Sequence, residues 1–374
     1  MIENNNKNTV TCFQVFDQLR FPLIILVVYI HSNMHPVNYH GIDFNTLTAS
    51  DSFDLCRLSL GTLLSQIAVP VFFFISGFLF FYKMQGWDWH IYGKKIKRRV
   101  RTLFIPYVIW NSIAILFACI LLFRNSGWQG VVSFVQENDY LDLFWSCEKA
   151  GTNRENELGI PTPMTFPYLV PLWYLRELMV MVLLSPVFYA FFKKLGLGGV
   201  FLLLISFVFS IGINIPGFLC LAMFFYGSGA FFSMNNIDPT HVFYGKRWGV
   251  YLITGGMFLL AIWFYNIRGI FYSLFIITGS ISAVNIAIAS HMKGIRIPQI
   301  LTSAVFFIYL FHDVYITTIS TYITDRLIGI SNSFQLLIGY LLSPIISILI
   351  CMIIFISLKR ICPKALSLIA GGRC

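Results

Sequence analysis

Charged side chains are scarce in this sequence, and the shortage restricts the class of protein. Asp, Glu, Lys and Arg make up 11% of the 374 residues, whereas an ordinary soluble domain carries about 25%. Hydrophobic residues make up 57%, and Phe alone occurs 38 times. This leaves too little polar surface for a soluble globule, and the composition does not fit disordered, collagen-like or disulfide-rich classes. It indicates a polytopic membrane protein.

The eight cysteines lack the paired spacing of metal sites, so we expect no metal. Cys56 and Cys147 fall on the predicted outer side, where an oxidising compartment would allow a disulfide. Two free thiols are the alternative. The N-terminal region also lacks a small-residue cleavage site, so we expect no removable signal peptide.

The apolar runs are long and continuous, which indicates membrane-spanning helices rather than alternating strands. We predict an all-α, polytopic helical bundle in which residues 1–374 form a single transmembrane domain. A spanning helix needs about 20 residues. Ten spans are predicted, at 13–33, 60–82, 102–123, 171–192, 198–215, 217–233, 248–264, 269–290, 301–322 and 334–358.

The distribution of Lys and Arg predicts the orientation. With a cytoplasmic N-terminus, the inner segments contain 18 of the 26 basic residues and the outer segments contain six. Both termini are therefore predicted to be cytoplasmic, in a multi-pass protein of the cytoplasmic membrane. The net charge of +10 then reflects topology, and nucleic acid is not an expected partner. The long segments 34–59 and 124–170 are predicted to lie outside, the second as a partly folded lid.

The first span carries three ionisable side chains on one face. His31 lies eleven positions after Arg20, which at about 100° per residue places the two on the same side of a helix. Asp17 can pair with Arg20 at a spacing of three. His31 would lie about 16 Å beyond Arg20, towards the outer face. The two interpretations are a catalytic stripe with a histidine base, and a packing salt bridge with an interfacial histidine.

Two later spans also contain ionisable groups, each with a structural alternative. His312 and Asp313 lie near the middle of span 9. They are interpreted either as functional groups or as a polar contact between helices. Trp173 fits an interfacial aromatic belt at the start of span 4. Arg176 and Glu177 follow it, where snorkelling to the interface is the alternative to function.

A basic run covers residues 94–101 just before span 3. The density of charge alone favours a topology determinant that interacts with anionic lipid. The alternative is a phosphate-binding patch, because Lys and Arg both bind phosphates.

These features together resemble the membrane acyltransferase 3 family. The resemblance starts with Phe16-Asp17-x-Leu19-Arg20, followed after ten further residues by His31. It continues through Val71 to Leu79 with Ser76-Gly77, through Arg98-Arg99-x-Arg101 with Pro106-Tyr107, through Leu172 to Arg176, and through Phe307 to His312. The order of these motifs and the ten-span layout agree with the family along essentially the whole chain. The sequence resembles a stand-alone membrane module.

The resemblance implies an O-acyltransferase that uses acyl-CoA, most often acetyl-CoA, as co-substrate from the cytoplasm. The acceptor would be a hydroxyl of a cell-surface or exported glycan. His31 and Arg20 match the family's essential residues, and Asp17 would hold Arg20. No tightly bound cofactor is implied.

The resemblance also implies that the basic loop, with Lys97, Arg98, Arg99 and Arg101, binds the CoA phosphates. The candidates for substrate contacts or for support of the catalytic groups are Ser76, Trp173, Arg176, Glu177, His312 and Asp313. Direct transfer to the sugar and a relay through an acyl-His31 intermediate both remain open.

Two other classes compete with this interpretation. Ten spans with buried charges also suit a transporter or flippase for a glycan or small solute, although the halves of this sequence do not show matching Gly- or Pro-broken helices. A non-catalytic membrane sensor or scaffold would need neither His31 nor acyl-CoA.

Overall fold

The computed structural model describes residues 11–32, 49–84, 86–155, 161–264 and 269–372, and this part of the chain is mainly helical. The helices of the first half are α1 (Cys12–His31), α2 (Ala49–Arg57), α3 (Ala68–Phe81), α4 (Trp89–Arg99), α5 (Ile105–Glu137), α6 (Tyr140–Trp145), α7 (Trp173–Leu183) and α8 (Ser185–Leu195). Those of the second half are α9 (Leu197–Phe209), α10 (Cys220–Met234), α11 (Pro239–Tyr244), α12 (Arg247–Trp263), α13 (Gly269–Met292), α14 (Gln299–Phe311), α15 (Thr317–Ile328), α16 (Ser333–Ile361) and α17 (Pro363–Ile369).

Six helical stretches in the described ranges are long and apolar enough to cross a membrane. A seventh candidate is the pair α7 and α8, which bends by 60° between them. The stretches are Cys12–His31, Ser52–Phe81, Trp89–Glu137, Gly269–Met292, Gln299–Ile328 and Ser333–Ile361. Three shorter apolar helices, α9, α10 and α12, coincide with the other predicted spans. The multi-pass helical class is therefore confirmed, while ten crossings and cytoplasmic termini stay predictions.

Helix α1 lies inside the bundle, where it packs against α3, α13, α14 and α16. Its apolar side chains at positions such as Ile24 and Val28 are fully buried. Asp17 and Arg20 remain partly exposed on the same helix, with 61% and 40% of their side chains accessible. The charged residues that weaken the hydropathy of this span therefore face open space within the protein.

Helices α3 and α10 touch through their backbones. A Cβ atom added to Gly77 would lie 2.0 Å from the Tyr226 carbonyl oxygen, and one on Gly229 would lie 2.1 Å from that of Phe74. Small residues allow this kind of close helix packing in membranes. The glycine that follows Ser76 in the family-like motif therefore serves to bring two helices together.

The described part of the predicted outer segment 124–170 contains regular secondary structure. Helix α5 continues past the predicted end of span 3 to Glu137, with a break at Gly127, which has φ 62° and ψ −161°. After α6, strands β1 (Cys147–Glu155) and β2 (Pro161–Phe166) form an antiparallel pair. The all-α prediction missed this small hairpin because its polar sequence carries no alternating apolar pattern. Residues 34–48 of the predicted outer loop 34–59 lie outside the described residues, as do 156–160.

Three π-helical turns interrupt the regular helices of the described chain, at Leu58–Leu63, Val100–Phe104 and His312–Ile316. In the third, Val314 and Tyr315 have non-helical backbone angles, and Tyr315 has φ 62°. Such turns are frequent at functional sites because the extra residue redirects the side chains around it. The second turn begins within the basic run and includes Arg101, and the third contains His312 and Asp313.

Candidate active site

A cavity of about 770 Å³ opens among α1, α3, α4, α7 and α14, on the side of the bundle that is predicted to be cytoplasmic. This volume falls within the usual range of ligand pockets. Asp17 and Arg20 of the first span line it, and Arg20 Nη1 lies 2.9 Å from Asp17 Oδ1, as their spacing predicts. The charged face of α1 is thus a wall of the cavity rather than a contact between helices.

Four cations surround the mouth of the cavity: Arg20, Lys95, Arg98 and Arg99. Asp17 supplies a single opposing carboxylate. Lys95 also donates a hydrogen bond through Nζ to the Phe80 carbonyl, which holds it against α3. Such a surplus of positive charge suits a ligand that carries several phosphate groups.

The geometry of α4 determines which cations reach the cavity. Positions 95, 98, 99 and 102 recur at helical spacing and line it. Lys97 and Arg101 are not among the lining residues and are exposed. The four residues predicted to bind the CoA phosphates therefore meet the cavity through Arg98 and Arg99. Lys95, which belongs to the basic run but not to those four, lines it as well.

Helix α4 begins at a well-defined cap. The Asp88 carboxylate accepts hydrogen bonds from the backbone N–H groups of His90 and Ile91, at 2.7 and 3.1 Å. The bonds from Ile91 and then His90 lower the pKa of this exposed carboxyl group. The cap fixes the start of the helix and therefore the direction in which its cations point.

The deep end of the cavity is apolar. Its wall there consists mainly of Ile24, Val27, Val69, Phe72, Val305 and Phe306. Ser76, Tyr174 and Tyr309 add hydroxyl groups to the lining, and Ser76 Oγ lies 3.5 Å from the Tyr174 hydroxyl. Ser76 thus lies in the cavity wall, as expected for a candidate substrate contact.

His31 lies one helical turn, about 6 Å, beyond Val27 on α1. Its ring meets that of His312 edge to face, with 5.1 Å between the centroids. His31 Nδ1 lies 4.0 Å from Asp313 Oδ1, and neither side chain is completely enclosed. The structure therefore joins the histidine of span 1 to both ionisable residues of span 9.

His312 is fully buried, and its hydrogen bonds define its tautomer. Nδ1 lies 3.0 Å from the Ile308 carbonyl oxygen and 2.9 Å from that of Tyr309. Carbonyl oxygens only accept, so Nδ1 must carry the proton and Nε2 keeps its lone pair. Among the described residues, Nε2 of His312 has no hydrogen-bond partner. The site thus holds a second imidazole nitrogen that can accept a proton.

Arg176 and Glu177 form a buried ion pair, with 2.9 Å between Arg176 Nη2 and Glu177 Oε1. Glu177 accepts hydrogen bonds from the backbone N–H groups of Gly217 and Leu219, and Arg176 donates to the Trp145 carbonyl. The pair joins α7 to the end of α6 and to the segment before α10. These contacts give it a packing role that snorkelling does not describe.

Neither Arg176 nor Glu177 is among the residues that line the cavity. Trp173, at the start of α7, packs half-buried against the apolar core and does not line the cavity either. The structure therefore leaves these three candidate contacts away from the basic mouth, and their roles in catalysis stay predictions.

Cys56 and Cys147 are both free thiols in the structure. Cys147 is buried in a small apolar cluster with Phe134 and Leu143. In this arrangement the described part of the predicted outer segment 124–170 is held by the packing around Cys147 and by the hydrogen bond from Arg176 to the Trp145 carbonyl.

Comparison with known proteins identifies the family to which the chain belongs. The family model for acyltransferase 3, described as an acyltransferase domain, matches residues 13–356. The chain therefore belongs to the acyltransferase 3 family, whose members are membrane acyltransferases, and the resemblance inferred from the motifs is confirmed.

The chain is also similar to the succinoglycan biosynthesis protein ExoH of Rhizobium meliloti (strain 1021). The two are 26% identical over 171 residues, which is 45% of this chain and 40% of that protein. The match thus spans less than half of either protein. No solved structure matches the chain.

Proposed function

We propose that this protein transfers an acyl group, most often acetyl, from acyl-CoA in the cytoplasm to a hydroxyl of a cell-surface or exported glycan. The observation that supports this most directly is a cavity with a cationic mouth and an apolar depth that ends one turn short of His31. The family membership and the similarity to a succinoglycan biosynthesis protein support the reaction type and the glycan acceptor.

The two ends of the cavity suit the two ends of CoA. The phosphates would lie at the mouth, near Arg20, Lys95, Arg98 and Arg99, because cations in a partly desolvated site hold phosphate strongly. The pantetheine arm would extend along the apolar wall towards Val27 and bring the thioester near His31. In this proposal Arg20 binds the donor, since about 16 Å of helix separates it from the reacting atoms.

His31 is the proposed general base. A sugar hydroxyl is a poor nucleophile until its proton is removed, and imidazole is suited to that role near neutral pH. His31 Nε2 takes the proton while the hydroxyl oxygen attacks the thioester carbonyl. The carbon–sulfur bond then breaks, and protonated His31 donates the proton that it took from the hydroxyl to the CoA thiolate. Asp313, which faces Nδ1, would orient the ring and stabilise its protonated form.

His312 Nε2 is available as a second proton acceptor close to His31. Direct transfer and an acyl-His31 relay both fit these positions. In direct transfer, the proton of the acceptor hydroxyl ends on the CoA thiol. In the relay, the CoA thiolate leaves as His31 is acylated and takes the proton of the imidazole, and the acceptor hydroxyl later returns a proton to the ring as the ester forms.

The charge distribution supports a neutral acyl group. The cations that line the cavity lie at its mouth, whereas a dicarboxylic acyl group such as succinyl would need one near His31. Arg176, a cation that does not line the cavity, pairs with Glu177 and donates to the Trp145 carbonyl. We therefore propose acetyl-CoA as the donor.

The test is donor turnover by the purified protein in detergent. Radiolabelled acetyl-CoA is supplied with a crude surface-glycan extract, and both CoA release and label on the glycan are measured. We expect His31→Ala to lose at least about 100-fold of the transfer rate, since general-base catalysis contributes that much or more. His241→Ala, at an exposed histidine on α11, is the matched control and should behave as the wild type.

Full activity in His31→Ala would refute the role of this histidine. If the wild type shows neither CoA binding nor turnover, the assay is repeated with succinyl-CoA. A second negative result would overturn the acyltransferase proposal in favour of the transporter.

A further inference from the structure

Two glycines near the C-terminus belong to the wall of the cavity. Gly371 and Gly372 line it together with Arg98, Arg99 and Thr102. Both lie beyond residue 356, where the match to the family model ends. This part of the cavity is therefore formed by a segment that the family match does not include.

The segment is firmly attached to the bundle. Helix α17 packs against α5 and α16, and Leu366 and Ala370 are buried to 0% and 1% exposure. The indole Nε1 of Trp110 donates a 2.9 Å hydrogen bond to the Ile369 carbonyl. The Trp110 ring also packs near Phe311 of α14, with centroids 5.4 Å apart. These contacts fix the chain just before the two glycines.

Gly371 touches the backbone of Thr102 so closely that a side chain would not fit. It has φ +59°, and an added Cβ would lie 2.6 Å from the Thr102 carbonyl oxygen and 3.0 Å from its Cα atom. Both of those atoms belong to the backbone, so neither can rotate away as a flexible side chain would. The position of Thr102 is thus set by direct contact with Gly371.

Thr102 belongs to the π-helical turn Val100–Phe104, which follows Arg98 and Arg99 without a break. Residues in a continuous helical segment move together, so a displacement at Thr102 is passed to the two arginines one turn earlier. Gly371 is therefore in contact with the segment that carries the cations of the cavity.

We propose that Gly371 and Gly372 form one wall of the donor site, and that Gly371 is a positioning residue for Arg98 and Arg99. The ligand is the phosphate-bearing part of the acyl donor, so this inference rests on the proposed function. Gly371 affects donor binding because it sets the position of the two arginines. Gly372 affects donor binding because its lack of a side chain leaves open space in the cavity wall. Transfer chemistry at His31 lies at the other end of the cavity and should be little affected.

The experiment compares binding of CoA itself, and the KM for acetyl-CoA, in full-length variants. We expect Gly371→Ala to weaken CoA binding and to raise this KM by about tenfold, because small displacements of positioned groups cost this much or more. The kcat at saturating donor should stay within about twofold of the wild type.

Gly329→Ala is the control for backbone strain. Gly329 ends α15 with φ +63° and has nothing within 4 Å of an added Cβ. Gly329 therefore shares the left-handed conformation of Gly371 but has no close contact like that with Thr102. The CoA affinity of the Gly329→Ala variant should equal that of the wild type. Equal CoA affinity in Gly371→Ala, Gly329→Ala and the wild type would overturn the inference.

A second variant keeps the test decisive if Gly371→Ala does not fold. Gly372 has φ +72° and open space around its Cβ position, as Gly329 has, but it lines the cavity. We expect Gly372→Ala to weaken CoA binding relative to Gly329→Ala at equal thermal stability. Equal affinities in this pair would also overturn the inference. Failure of the wild type to bind CoA would instead contradict the proposed function, so the two failures are distinguishable.

Discussion

At the scale of single residues, the tertiary structure brings together groups that are far apart in the chain. His31 ends α1, while His312 and Asp313 lie in the π-helical turn after α14. On a regular helix, the adjacent residues His312 and Asp313 would point about 100° apart. The sequence therefore gives no reason to expect both of them beside His31. The non-helical angles at Val314 and Tyr315 show that this turn departs from regular geometry.

We predict that Asp313→Asn lowers kcat by about 10- to 100-fold while the protein still folds. The carboxylate faces His31 Nδ1, and an amide neither attracts the protonated ring nor favours the same tautomer. The measurement is acetyl transfer at saturating donor, with Asp325→Asn at an exposed position of α15 as the control. Unchanged kcat in Asp313→Asn would show that His31 works without this carboxylate.

A second prediction at this scale concerns Glu177. We expect Glu177→Gln to cost about 3–5 kcal/mol of stability, because it leaves the buried Arg176 guanidinium without its charged partner. Thermal unfolding in detergent measures this, with Asp142→Asn at an exposed position of α6 as the control. A variant with wild-type stability and no transfer activity would contradict the packing role and point to contact with substrate.

At the scale of helices, the contact between α3 and α10 depends on glycine. We predict that Gly77→Ala destabilises the protein by more than about 3 kcal/mol, since the new methyl group would overlap the Tyr226 carbonyl. The yield of folded protein and its melting temperature report the effect.

Gly255→Ala on α12 is the control for helix propensity, because nothing lies within 4 Å of its Cβ position. Alanine favours helix over glycine, so this variant should be as stable as the wild type or slightly more stable. If the two alanine variants were equally stable, α3 and α10 could not be in backbone contact.

At the scale of the whole molecule, orientation in the membrane is the open prediction. Lys193 and Lys194 belong to the predicted inner side, and Arg124 to the predicted outer side. In a cysteine-free background, we expect an impermeant maleimide to label Ser126→Cys in intact cells. Lys194→Cys should be labelled only after the membrane is permeabilised. The reverse pattern would invert the topology and place the basic cavity mouth outside, away from cytoplasmic acyl-CoA.

The sequence by itself determined the membrane class, the family and most candidate site residues. These follow from local properties: apolar length makes a helix suited to lipid, and a spacing of eleven puts Arg20 and His31 on one face whatever surrounds them. The i,i+3 pairing of Asp17 with Arg20 is local in the same sense and appears in the structure.

Only the tertiary structure decided which of these residues share a site. It selected Lys95, Arg98 and Arg99 from a basic run whose members are similar in type, because one face of α4 meets the cavity and the other does not. It joined His31 to His312 and Asp313, and it placed Gly371 against Thr102. Contacts between distant segments depend on how helices pack and on irregular turns, and single-sequence periodicity carries no information about either.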